Sequence, residues 1–181
     1  MKAIMISIKP KWVAKILNGE KTIEIRKTMP KCDLPIDVYV YCTKEDSLSL
    51  LKTYPKDTYV CEQEFKCNDF PYLCSGYEGK GKVVAKFTLN KVEEIVRYDG
   101  EFYTPTYEEN KICQNACLSW EEIHRYLANK KTGYAWHIDD LEIFGKPKEL
   151  NEFNKWNNPR FPYFLTKAPQ SWCYVEVLLW N

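Results

Sequence analysis

The segment 19–26, with the sequence GEKTIEIR, concentrates three side chains that can bind or transform a ligand. Lys21 supplies an ammonium group, Glu24 a carboxylate and Arg26 a guanidinium. Lysine and arginine hold phosphate, and a carboxylate accepts hydrogen bonds from a base or a sugar or acts as a general base. In a strand, Glu24 and Arg26 would share one face, about 7 Å apart. The segment is therefore a candidate site or, alternatively, the solvated face of an ordinary strand.

The residues before this segment predict a second group of cations. Pro10 suits the first turn of a helix, and an apolar stripe at helical spacing continues until Gly19 ends the helix. The N-terminus of a helix presents backbone N–H groups and a partial positive charge, which favour an anion. Lys9 and Lys11 flank this end, so we predict that they contact phosphate together with Lys21.

Alternating apolar residues predict the strands that position these groups. The predicted strands are AIMISI, KTIEIR, IDVYVYCT, the single long GKVVAKFTLNKVEEIV, GYAWHI and SWCYVEVLLW. A capping box of Ser119 and Glu122 predicts a second helix. The fold class is therefore α+β, with five or six strands, two or three helices and a curved sheet approaching a barrel. Its predicted core consists of Ile4, Ile6, Ile8, Ile23, Ile25, Val38, Val40, Val83, Ala85 and Phe87.

Aromatic and hydroxyl side chains supply candidates for the wall of a site. Tyr41 and Thr43 leave the third strand on the side opposite to its core residues, and Trp172 lies in the segment PQSW before the last strand. Aromatic rings stack on nucleobases. We therefore predict that Tyr41, Thr43 and Trp172 contact a nucleotide-like ligand, although Trp172 alternatively anchors the last strand.

Length and composition limit the class of protein. A chain of 181 residues fits one domain, and a net charge of +1 excludes a generally basic coat for nucleic acid. Residues 1–31 nevertheless carry eight basic side chains against two acidic ones, a local charge of +6. No apolar run reaches the roughly 18 residues of a membrane span. The eight cysteines lack a C-x-x-C pair, so we expect thiols in the cytoplasm, no metal and no cofactor.

Four stretches together resemble the ASCH domain family, whose fold is a PUA-like β-barrel. They are SIKPKWVAKILNGEKTIEIRK, VYVYCT, GYAWHIDDLEIFGKPKEL and PQSWCYV, and the family pattern Gly-x-Lys-x-x-Glu-x-Arg is matched by Gly19, Lys21, Glu24 and Arg26. The resemblance is to bacterial or phage-type members. It covers nearly the whole chain as a single domain, with 44–80 and 151–166 as variable insertions.

The resemblance implies a cleft, lined by the lysine, glutamate and arginine of the pattern, that binds RNA or a modified nucleoside. Some members are amidohydrolases of N4-acetylcytidine, and others are ribonucleases. In the amidohydrolases, a threonine three residues after the lysine is the proposed nucleophile. Glu24 occupies that position here, and Thr22 is out of register. A carboxylate cannot replace a hydroxyl nucleophile without a changed mechanism.

We therefore predict a domain that binds RNA or a nucleotide in a cleft between the first helix and the barrel. The alternative is a hydrolase of a modified nucleoside or of RNA, in which Lys21 and Glu24 are catalytic. A purely protein-binding domain is a third class, and it would bind no RNA. The protein partner, if any, is not specified by the sequence.

Overall fold

The computed structural model describes residues 1–44, 66–67, 79–105, 109–157 and 163–177. The chain forms two compact units. The first consists of residues 1–18, 36–88 and 140–181, and the second of 19–35 and 89–139. In chain order, the elements are β1 (Lys2–Ile8), α1 (Pro10–Leu17), β2 (Ile23–Arg26), β3 (Ile36–Cys42), β4 (Lys66–Cys67), β5 (Val83–Leu89), β6 (Val92–Tyr98), β7 (Glu101–Tyr103), α2 (Glu109–Ala116), α3 (Trp120–Leu127), β8 (Thr132–His137), β9 (Asp139–Lys148), a 3-10 turn (Leu150–Glu152), β10 (Phe153–Lys155) and β11 (Trp172–Val177).

The first unit contains a seven-stranded sheet in the order β10-β11-β1-β3-β5-β9-β4. Strand β1 pairs in parallel with β3 and antiparallel with β11. Both faces of β1 are buried, since Ile4 and Ile6 on one face and Ala3 and Met5 on the other are inaccessible to solvent. Burial on both faces explains why the sequence of this strand is almost continuously apolar.

The predicted helix is α1. Pro10 occupies its first turn, and Lys9 precedes it in an extended conformation. Gly19 has a φ of +70°, in the left-handed region that a glycine adopts readily after a helix. The chain therefore leaves the helix where the sequence predicted.

The second unit contains a four-stranded sheet in the order β2-β8-β6-β7. All of its pairings are antiparallel. One face of this sheet packs against α2 and α3 in an apolar cluster. Helix α3 begins with the predicted capping box, in which the Ser119 hydroxyl accepts from the Glu122 backbone N–H and the Glu122 carboxylate accepts from the Ser119 backbone N–H. The cluster is built from Ile23, Ile25, Ile95, Phe102, Ile112, Ala116, Ile123, Leu127 and Ala135.

The α+β class is confirmed, and every predicted core residue is buried. The long strand predicted over 81–96 is wrong, because it is interrupted at Asn90 and Lys91 and its two halves, β5 and β6, belong to different sheets. The structure also contains more strands than the five or six predicted. Strands β4, β7 and β10 have only two or three residues, too few for an alternating pattern to be recognised, and the ten-residue β9 was not predicted either.

Three other expectations concern the insertions, the number of domains and membrane-spanning helices. Most of the 44–80 insertion lies outside the described residues, whereas 151–166 contains β10, which pairs with β11. The single domain stays a prediction. None of the helices in the described ranges has the length and apolar character needed to cross a bilayer.

Candidate functional site

Strand β2 places its charged residues by simple alternation. Ile23 and Ile25 join the apolar cluster of the second unit. Glu24 and Arg26 point to the other face, where they pair directly with Trp136 and Tyr134 of β8. Since β2 is the edge strand of its sheet, these two long side chains can interact with groups beyond the sheet.

Lys21, Glu24 and Arg26 form one connected group, which we call the β2 charge cluster. The Lys21 ammonium lies 3.2 Å from Glu24 Oε2, and the Arg26 guanidinium lies 3.1 Å from Glu24 Oε1. The three residues are only 2, 8 and 7 % exposed, in chain order. A solvated strand face would leave such side chains in water, so their burial together favours a specific role over that alternative.

Lys21 is anchored as well as paired. Its ammonium donates a hydrogen bond of 2.7 Å to the carbonyl oxygen of Ala116, the last residue of α2. A cation at the C-terminal end of a helix is stabilised by the helix dipole and by the exposed carbonyls there. The Lys21 ammonium is therefore engaged both by Glu24 and by the end of α2, and its predicted contact with phosphate stays a prediction.

Tyr126 of α3 extends the cluster and was not predicted as a site residue. Its side chain makes a hydrogen bond with Arg26. Burial raises the pKa of the Tyr126 phenol, the Glu24 carboxylate raises it further, and Arg26 opposes both. The phenol therefore keeps its proton at neutral pH and can donate a hydrogen bond to a ligand. In the sequence, Tyr126 resembles one more member of the apolar stripe of its helix.

A second buried carboxylate lies in the same sheet. Glu93 of β6 is only 4 % exposed and pairs with Ala135 on the face that carries the apolar cluster. The Lys91 ammonium contacts its carboxylate, and His137 Nε2 lies 3.6 Å from Glu93 Oε1. Burial lowers the pKa of His137; Glu93 and Asp139 oppose this effect and Lys91 adds to it. Glu93 carried no recognisable signal in the sequence.

The remaining predicted residues belong to the first unit, whereas the β2 charge cluster belongs to the second. Lys9 and Lys11 are exposed at the start of α1, as predicted. Thr43 and Trp172 are partly buried. Tyr41 is buried among apolar residues, because the face expected to be open is covered by residues such as Phe153 and Val175. The shared cleft of these residues stays a prediction.

The described side chains include no group of three or more histidine, cysteine and acidic residues that would suit a metal ion. The part of the chain that the structure describes therefore offers no metal centre to consider. The expectation of a protein without metal or cofactor stays a prediction.

Comparisons with solved structures identify the fold. The chain is similar to an ASCH protein from Zymomonas mobilis, with 16 % identity, a TM-score of 0.54 and coverage of 96 % of this chain and 87 % of that one. It is also similar to two single-residue variants of that protein, at 16 and 15 % identity, TM-scores of 0.54, and coverage of 97 and 96 % of this chain and 91 and 88 % of theirs. No family model and no curated protein matches the sequence. At this identity the likeness shows the fold alone, which this chain shares with those ASCH proteins.

Proposed function

We propose that this ASCH-fold chain binds RNA, or a nucleotide derived from it, through the β2 charge cluster. The observation that carries the proposal is the convergence of Lys21, Glu24 and Arg26 within 3.2 Å contacts in a nearly water-free setting. Charged groups fixed in advance bind a ligand without an ordering cost, and burial strengthens each contact. The resemblance to a family of RNA-binding domains supports the class of ligand.

Each residue of the cluster has a defined part in the proposal. Arg26 donates to a phosphate or to a base edge, and Glu24 accepts from a base or a ribose hydroxyl. Tyr126 donates through its phenol, and Lys21 holds Glu24 in position. Lys9, Lys11, Thr43 and Trp172, which belong to the first unit, are further candidate contacts for the RNA. Tyr41, which is buried, has a packing role.

Two further parts of the proposal concern the cellular location and the family branch of the protein. We place the protein in the cytoplasm, where RNA is available and cysteines remain thiols, which is how the described cysteines occur. We also propose that the chain belongs to a bacterial or phage-type branch of the ASCH family, as the resemblance of its sequence implies. Both statements are independent of the geometry of the cluster.

Titration of fluorescently labelled single-stranded RNA, followed by anisotropy, tests the proposal. Arg26→Gln should weaken binding roughly tenfold or more, because a hydrogen bond to a charged group contributes about 1.5–3 kcal/mol. Arg125→Gln is the matched control, since Arg125 is also paired with a glutamate at 2.8 Å in the same unit but is 73 % exposed. Affinity of the wild type should also fall with salt, because phosphate contacts release counterions.

Absence of RNA binding by the wild type at low salt would contradict the proposal. Equal losses in Arg26→Gln and Arg125→Gln would show that the charge matters and the cluster does not. Circular dichroism and thermal unfolding of both variants distinguish a lost contact from a lost fold.

A hydrolase acting on a modified nucleoside or on RNA is the second candidate. One feature favours it. The Lys21 ammonium contacts the Glu24 carboxylate, and the protonated phenol of Tyr126 lies nearby. All three are groups that can transfer protons. Incubation with N4-acetylcytidine and with RNA, followed by chromatography of the products, distinguishes the candidates. Turnover that Glu24→Gln abolishes would establish the enzyme, whereas binding without turnover supports the RNA-binding domain.

A further inference from the structure

The sheet face that carries Arg26 continues away from the β2 charge cluster as a row of tyrosines. Arg26 pairs directly with Tyr134 of β8. One step further along, Val96 of β6 pairs with Thr132 on one side and with Tyr103 of β7 on the other. Directly paired residues of antiparallel strands lie on the same face. Tyr98 lies two residues after Val96 on β6 and therefore shares that face. We call Tyr98, Tyr103 and Tyr134 the tyrosine face.

Two of these rings are exposed to solvent. Tyr98 is 74 % and Tyr103 is 40 % exposed, and their ring centroids lie 6.4 Å apart in an edge-to-face arrangement. Tyr134 is only partly buried between them and Arg26. Large aromatic side chains that remain in water on a regular sheet present flat apolar surfaces, and such surfaces stack on nucleobases.

Four cationic residues lie at the end of the sheet that carries Tyr98 and Tyr103. Arg26 and Lys27 are at the C-terminal end of β2, and Lys130 and Lys131 immediately precede β8. Because β2 and β8 are antiparallel, these two pairs lie at one end. They outnumber Asp99 and Glu101, the acidic residues of the β6–β7 hairpin at that end. A chain of phosphates that left Arg26 toward the tyrosines would therefore meet complementary charge.

Two acidic residues lie within the row, since Glu101 pairs with Tyr98 and its carboxylate lies 3.4 Å from His124 Nδ1. The other, Glu94, pairs with Tyr134 and is exposed. A carboxylate repels phosphate, but it accepts hydrogen bonds from the amino groups of a base. The position of Glu94 beside the rings, and not beside the cations, suits contact with bases.

We propose that single-stranded RNA extends from the β2 charge cluster across the tyrosine face, with bases stacked on Tyr103 and Tyr98. This inference rests on the proposed function and narrows its ligand from RNA or a nucleotide to a single strand of several nucleotides. A duplex cannot use this surface, since its bases are already stacked on each other. A protein partner is the alternative occupant, and the test below separates the two.

The test measures binding of single-stranded RNA of about eight nucleotides, a length within the usual site size of such surfaces. Tyr98→Ala and Tyr103→Ala should each weaken binding roughly tenfold, as loss of one stacked base predicts. Tyr98→Phe and Tyr103→Phe keep the ring and should retain the wild-type affinity. Tyr163→Ala is the matched control, because Tyr163 is 45 % exposed and belongs to the first unit.

The tyrosine and arginine variants distinguish failure of this inference from failure of the proposed function. If Arg26→Gln weakens binding and the tyrosine-to-alanine variants do not, the extension is overturned and the proposed function stands. If the tyrosine variants weaken binding and Arg26→Gln does not, the proposed site is overturned. Equal affinity for duplex and single strand also overturns the extension, as does a wild-type oligomer that Tyr98→Ala dissociates without a change in RNA affinity.

Photo-crosslinking gives an independent measurement. RNA that contains 4-thiouridine should crosslink to residues 97–103, identified by mass spectrometry of the digested complex. Crosslinks confined to other segments would overturn the inference even if the alanine variants proved unstable.

Discussion

Glu24 and Glu93 are both buried carboxylates of the second unit, on the two strands that flank β8, yet their surroundings differ. Glu24 lies between Lys21 and Arg26, which are themselves buried. Glu93 contacts the ammonium of Lys91, whose side chain is 57 % exposed, and lies near a histidine. The cations that contact Glu24 are therefore shielded from water, whereas the cation that contacts Glu93 is exposed to it.

This difference separates a site from a structural pair. A cluster of permanently charged groups in a nearly dry environment keeps one geometry, which is what recognition of a ligand requires. The surroundings of Glu93 can change with pH, because Lys91 is exposed and His137 gains or loses a proton. The ligand recognition proposed above therefore concerns the surroundings of Glu24, and we expect the surroundings of Glu93 to make a pH-dependent contribution to stability.

The largest expected effect comes from removing the anchored cation of the first group. Lys21→Met leaves Glu24 with one cation and the Ala116 carbonyl without its hydrogen bond, so the free energy of unfolding should fall by about 3–5 kcal/mol. Urea unfolding followed by tryptophan fluorescence measures it. The double variant Lys21→Met/Glu24→Gln should recover part of the loss, because the unbalanced charge is then removed.

Lys86→Met provides the control for this prediction. Lys86 lies 3.3 Å from Glu142 and 3.9 Å from Asp37, but its side chain is 31 % exposed. Its removal should cost less than about 1 kcal/mol. Similar losses in the two variants would show that burial of the charges is not what distinguishes the β2 charge cluster.

The next effect concerns binding. Glu24→Gln should weaken the affinity for single-stranded RNA roughly tenfold, because a charged acceptor is lost and Arg26 is no longer held. Glu93→Gln should leave this affinity unchanged. Anisotropy titrations of both variants, with thermal unfolding as a check of the fold, measure the contrast. Tighter binding by Glu24→Gln would mean that only phosphate is recognised and that Glu24 merely repels it.

The smallest effect is the response to acid. Because burial lowers the pKa of His137 below its ordinary value of 6.5, the folded state binds this proton less readily than the unfolded state. The stabilising contribution is complete above pH 6.5 and declines as the pH falls through that value toward the lowered pKa of the folded protein. His137→Gln should flatten this part of the stability profile, measured by urea unfolding at a series of pH values. An unchanged slope would assign the response to other groups.

Local patterns were sufficient for much of the fold. Alternation identified β1, β2, β3, β8 and β11, helical spacing with Pro10 and Gly19 identified α1, and the capping box identified α3. The split between β5 and β6 could not be predicted, because Leu89 and Val92 continue an acceptable apolar pattern across Asn90 and Lys91. A change of sheet is decided by the pairing partners of each strand, which a local pattern does not contain.

The candidate site divides in the same way. The segment GEKTIEIR identified Lys21, Glu24 and Arg26 as neighbours, and the structure brings them into contact. The hydrogen bond from Lys21 to Ala116 joins residues 95 positions apart, so no local pattern could indicate it. Tyr126 and the exposed row of Tyr98, Tyr103 and Tyr134 likewise depend on the register of distant strands.

Each unit is assembled from separate stretches of chain, and this has a consequence for attempts to dissect the protein. A fragment of residues 89–139 would contain β6, β7 and β8 but would lack β2. The backbone of β8 would then form an open sheet edge, and the apolar surface that Ile23 and Ile25 of β2 cover would be exposed. Both features promote aggregation. Truncation is therefore unsuited to isolating the second unit, whereas a synthetic peptide of residues 19–35 added in trans would supply the missing strand and the charges together.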